Sequence, residues 1–123
     1  MRIVGSLPNL EILKLGYGTF DGPEWNPIEG EFVRLKYLLI ASYHLKYWRA
    51  ENTHFPFLEH LVLYATSLVQ LPLDLAEIHT LRLIELNGCN ESVIDSVKQI
   101  RDERESLGYD DLQIHVSKYY SLH

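Results

Sequence analysis

Three apolar residues recur with one spacing four times along the chain. They read Leu10-x-x-Leu13-x-Leu15, Leu35-x-x-Leu38-x-Ile40, Leu58-x-x-Leu61-x-Leu63 and Leu81-x-x-Ile84-x-Leu86. Another apolar residue precedes each copy by three positions: Leu7, Phe32, Phe55 and Ile78, which stand 25, 23 and 23 residues apart. Three copies also carry a later apolar residue, Phe20, Leu45 and Leu68, where the fourth has Glu91. All twelve triplet slots are Leu or Ile in a chain that is 46% hydrophobic. Chance would fill twelve such slots with apolar residues at odds of roughly one in ten thousand. A unit of this length can bury its apolar edge only by stacking on its neighbour.

The spacing fits the leucine-rich-repeat template, Leu-x-x-Leu-x-Leu-x-x-Asn/Cys-x-Leu, most fully in the third copy with Thr66 and Leu68. The expected fold is α/β. It is a leucine-rich-repeat solenoid with a short parallel sheet on the concave face and irregular or 3-10 convex segments. One C-terminal capping helix is followed by a last strand. Strands are expected at 12–16, 37–41, 60–64 and 83–87. Alternation turns Leu13 and Leu15 inward and Ile12 and Lys14 outward. Gly22, Pro23, Pro27 and Gly30 break regular structure in the first connection, where Trp25 and Ile28 are expected to pack back on the core. The Asn/Cys slot holds Cys89, and Gly18, Tyr43 and Thr66 in the other copies. Cys89 reads as a structural thiol, because buried cysteine is usually inert.

After Cys89 the period changes. Ser92-Val93-Ile94-Asp95 resembles a capping box with Ser92 as the cap. Val93, Val97 and Ile100 then share a helical face, with Lys98, Arg101, Asp102, Glu103 and Glu105 largely opposite. Gly108 is a stop signal, and Tyr109, Leu112 and Ile114 restart the strand spacing, so a fifth strand is expected at 112–116. Residues 1–116 thus form one domain, with repeats near 7–31, 32–54, 55–77 and 78–90, a cap at 91–116 and a flexible tail at 117–123. Met1–Ser6 is too short to cover a solenoid end. The chain is therefore expected to be the last part of a longer protein, or to meet a partner or itself through that open edge.

A net charge of −6 argues against nucleic acid or an anionic membrane as partner. There is no apolar run long enough to span a bilayer and no secretory signal at Met1–Gly5. The single cysteine gives neither a disulfide framework nor metal-ligand spacing. These features favour the cytoplasm and call for no metal or cofactor.

The resemblance extends beyond leucine spacing. Leu7-Pro8-Asn9-Leu10-Glu11-Ile12-Leu13-Lys14-Leu15 and Phe55-Pro56-Phe57-Leu58-Glu59-His60-Leu61-Val62-Leu63 resemble repeat openings of plant intracellular immune receptors. The run from Glu24-Trp25 to Tyr37-Leu38, the run Leu45-Lys46-Tyr47-Trp48, and Ser96-Val97-Lys98-Gln99-Ile100 with Leu107-Gly108-Tyr109-Asp110-Asp111-Leu112 resemble the C-terminal end of late-blight-resistance-like proteins of the nightshade group. The resemblance implies a sensor segment of a nucleotide-binding, leucine-rich-repeat receptor. Such receptors serve plant defence and the hypersensitive response; their repeats restrain the nucleotide-binding module and help detect pathogen effectors. No Gly-x4-Gly-Lys-Ser/Thr is present, so ATP binding does not carry over.

Three functions compete. The first is a protein-interaction module whose concave face presents Ile12, Lys14, Tyr37, Leu39, His60, Val62, Tyr64, Leu83 and Glu85. Apolar residues there mark a contact site, or simply support strand formation. The aromatic stretch Tyr43–Ala50 is likewise either an adhesive patch or convex core. The second is an enzyme, for which no nucleophile or helical zinc motif is present: His54 and His60 are six apart, and no Gly-x-Ser-x-Gly occurs. The third is a terminal segment that only stabilises adjoining repeats.

Overall fold

The computed structural model describes residues 10–16, 23–27, 30, 32–41, 45–51, 53–64, 67–109 and 111–117. Five strands form one all-parallel sheet in chain order: β1 (Ile12–Leu15), β3 (Tyr37–Ala41), β5 (His60–Tyr64), β6 (Leu83–Asn87) and β7 (Gln113–Ser117). Each apolar triplet contributes one strand and the period carries the chain back to the next, so β1 and β7 are the two edges. In-register pairing aligns Leu13, Leu38, Leu61, Ile84 and Ile114 across the sheet, and Leu15, Ile40, Leu63, Leu86 and Val116 two residues on. Equal spacing in sequence thus becomes straight columns in space. The inner members of these columns are fully buried, while Leu13 and Ile114 are partly buried and Val116, on the β7 edge, is exposed.

A backbone device repeats at the starts of β3, β5 and β6. The Glu11 carbonyl accepts the amides of Lys36 and Tyr37, that of Lys36 those of Glu59 and His60, and that of Glu59 those of Arg82 and Leu83, all at 2.8–3.2 Å. One carbonyl per repeat therefore locks the next repeat in register.

The opposite side is more ordered than the sequence suggests. Instead of irregular chain, β2 (Glu24–Trp25) and β4 (Tyr47–Trp48) pair in parallel, and Tyr47 bridges to Gln70 in the next repeat. Aromatic stacking drives this. Trp25 and Trp48 lie with ring centroids 5.7 Å apart at 13°, beside the leaders Phe32 and Phe55 at 5.6 Å and 15°. Rings at equivalent repeat positions stack as a ladder, and they resolve the aromatic stretch in favour of core: Leu45 and Trp48 are buried. Tyr47 and Arg49 remain exposed, the guanidinium 5.9 Å from the ring centroid. After Pro72 the chain forms a 3-10 helix, Leu73–Glu77.

The end unit is helix α1 (Glu91–Ser106), which buries Val93, Val97 and Ile100. Its cap is Asn90, not Ser92: Asn90 Oδ1 accepts the Val93 amide at 3.0 Å, while its Nδ2 donates to the Leu68 carbonyl at 3.2 Å. Asn90 wins because it caps the helix and ties it to the preceding repeat at once. At the other end Gly108 adopts φ 89°. The Tyr109 amide reaches the Arg104 carbonyl and the Gly108 amide that of Glu105, a Schellman closure. Arg104 itself is fully buried. It donates to the Ile78 carbonyl at 2.7 Å, the Ala76 carbonyl at 3.4 Å and Asp111 Oδ1 at 3.1 Å. A charge thus pins the helix to the 3-10 segment.

The last strand runs one residue later than expected, Gln113–Ser117, with Ser117 paired to Asn87. Leu7, Gly18, Phe20, Ile28, Tyr43, His44, Thr66 and residues 118–123 lie outside the described residues.

Candidate interaction face

The sheet has one face in the core and one open. On the open face the register builds three lateral rows: Ile12–Tyr37–His60–Leu83–Gln113, Lys14–Leu39–Val62–Glu85–His115, and Ala41–Tyr64–Asn87–Ser117. All nine residues singled out by alternation fall in these rows. They come from four strands, so the sheet assembles residues 73 positions apart into one surface.

Accessibility does not follow alternation everywhere. Ile12, on the edge strand, is 59% exposed, and Tyr37, Leu39, His60, Tyr64, Leu83 and Glu85 are intermediate. Val62 is only 1% exposed, although it stands outside the main core cluster. It sits at the centre of the middle row between Leu39 and Glu85. As a direct contact residue Val62 is therefore corrected: it is the packed base of this face.

The side chains form a connected polar and aromatic line. The Tyr37 and His60 rings meet edge to face at 4.8 Å, and Lys14 Nζ stands 6.0 Å from the Tyr37 centroid. His60 Nε2 lies 3.3 Å from Glu85 Oε2, close enough for an ion pair though not aligned as a hydrogen bond. His115 Nδ1 is 3.9 Å from the other Glu85 oxygen. Burial first, then the charges of Glu85 and Tyr64, hold the Tyr37 phenol above its ordinary value of 10.0. Gln113 and His115 extend these rows beyond the nine residues, His115 as the exposed polar strand position that the sequence predicts. The spacing Tyr109, Leu112, Ile114 puts His115 in the column of Lys14 and Glu85, and that signal was available.

Cys89 is partly buried, its Sγ 3.7 Å from the Leu63 carbonyl, a weak donor to the preceding repeat. Among the described residues no group of three His, Cys, Asp or Glu is placed to hold a metal ion, and no helix is long and apolar enough to cross a membrane.

No protein-family model matches the chain. Curated relatives do. The chain is 40% identical over 98 residues to a putative late blight resistance protein homologue of Solanum demissum, covering 78% of this chain and 8% of that protein. To a second homologue of the same name and species it is 39% identical over 98 residues, covering 78% and 13%. To a third it is 37% identical over 101 residues, covering 80% and 9%. The chain spans about a tenth of the length of these relatives. With this identity across most of its length, the chain belongs to the family of late blight resistance protein homologues.

Proposed function

We propose that this chain is a protein-interaction segment from the sensor or autoinhibitory end of a cytoplasmic plant immune receptor, built as a leucine-rich-repeat solenoid whose concave side is the open face. Its partner is a pathogen effector or the receptor's own nucleotide-binding module. The observation that carries this reading is that the open face gathers Ile12, Tyr37, Leu39, Leu83 and Tyr64, all at least partly accessible, from four strands. Aromatic residues concentrate where protein interfaces form. The names of the relatives supply the context of resistance. We also propose that the segment is not catalytic. Three of the described histidines have structural partners: His54 Nδ1 accepts the Glu51 amide, His60 packs on Tyr37, and His79 meets the Tyr109 hydroxyl.

The test pairs Tyr64→Ala with Leu83→Ala in a full-length receptor carrying this segment. Capture of the nucleotide-binding module and the hypersensitive response in leaf tissue are read together. Lost module capture with a response in the absence of pathogen supports the autoinhibitory partner. A lost response on infection with module capture intact supports the effector. A folded variant unchanged in both readouts overturns the reading in favour of a purely structural segment.

A further inference from the structure

Four charged residues of alternating sign stand at the strand starts: Glu11, Lys36, Glu59 and Arg82. Their backbones are fixed by the doubly accepting carbonyls, so their side chains leave the sheet from set positions. Lys36 Nζ turns to Glu11 Oε1 at 3.3 Å. The Glu59 carboxylate makes no ion pair or side-chain hydrogen bond among the described residues.

Beside Glu59 the surface dips into an open hollow of about 460 Å³, lined by Glu11, Ile12, Lys36, Tyr37, Glu59 and His60. Its apolar part is Ile12, more than half exposed, with the ring of Tyr37. The rim is charged. Lys36 is already paired with Glu11 and Lys14 stands 6.0 Å from the Tyr37 centroid, which leaves Glu59 as the lining carboxylate without an ion pair among the described residues.

We propose that the hollow is a site for an arginine side chain of a protein partner, with the aliphatic stem against Ile12 and Tyr37 and the guanidinium on the Glu59 carboxylate. The proposal deepens the reading of the open face as a protein-binding surface and rests on it. Long cationic side chains bury their stems on apolar surface and keep their heads at a polar rim. Guanidinium suits this place better than ammonium, because it forks onto a carboxylate and stacks on an aromatic ring.

The experiment titrates the isotope-labelled full chain with N-acetyl-arginine methylamide, and separately with the lysine, leucine and neutral citrulline analogues, following backbone amide resonances. The arginine probe is expected to shift Ile12, Tyr37, Glu59 and His60 more strongly than the other three probes do. Glu59→Gln is expected to weaken it about three- to fivefold, as loss of one exposed ion pair should. Ile12→Ala should also weaken it, and both variants should unfold at the wild-type denaturant midpoint. Equal shifts with citrulline, shifts centred elsewhere, or no response overturn the arginine site. If the probe fails while Tyr64→Ala and Leu83→Ala still abolish partner capture, this proposal falls and the functional reading stands. If the probe binds while capture ignores the open face, the functional reading falls instead.

Discussion

Single residues decide how the end unit holds. Arg104 satisfies carbonyls inside the fold while its carboxylate partner Asp111 is largely solvated. Arg104→Met keeps volume but strands those carbonyls, and should cost about 1–3 kcal/mol in urea unfolding. Asp111→Asn should cost less than about 1 kcal/mol. Asn90→Ala should cost about 1 kcal/mol or more, since it removes a cap, whereas Ser92→Ala should leave the unfolding midpoint unchanged. Both features escape a reading of sequence for physical reasons. Ser92 and Asn90 are equally good caps locally, and only the Leu68 carbonyl separates them. Arg104 follows Ile100 by four residues and Val97 by seven, the apolar face, yet a charge is assigned to solvent unless a buried acceptor is in view. Tyr37 gives a pH test. Its folded-state pKa is raised, so the native chain keeps the phenol proton after the unfolded chain has lost it. Stability from this group is therefore complete below the unfolded value of 10.0 and is lost as pH rises through the higher folded one. Tyr37→Phe should flatten the fall in thermal midpoint above pH 10.0, measured against wild type.

At the scale of elements, sequence and structure agree most closely where a residue pattern maps directly onto geometry. The apolar triplets locate β1, β3, β5 and β6, and the restart at Tyr109 locates β7 within one residue. Inward and outward directions also follow. Exposure does not: Val62 is buried at the centre of its row, and its row neighbours stand 23 residues away on either side. The pairing of β2 with β4 was equally hidden. Two-residue strands carry no period, and the stacking of Trp25 on Trp48 that holds them is a contact between repeats. The end of α1 was legible because Gly108 needs positive φ. No atom lies within 4 Å of a Cβ added there, so Gly108→Ala tests backbone conformation alone. It should cost about 1 kcal/mol in denaturant unfolding, and Gly108→Asn less.

Among the described residues the molecule is a row of units in which each strand of the five-stranded sheet pairs only with the units before and after it. Its two tryptophans belong to different repeats and are stacked, so together they report on stacking rather than on one unit. The native chain should show an exciton couplet in far-ultraviolet circular dichroism. Trp25→Phe should remove the couplet while leaving the unfolding cooperative, and a couplet that survives would place the signal elsewhere. The straight columns have a consequence for inheritance. Core columns are filled almost entirely by Leu and Ile, which one unit can exchange with another, while the alternate residues of the same strands differ from unit to unit. Unequal crossover by a whole period would therefore transplant a complete vertical slice of open-face chemistry into a core that accepts it. A crossover out of phase by one residue would turn that slice inside out. Selection on such a gene can thus trade surfaces in blocks, faster than point substitution could rebuild them.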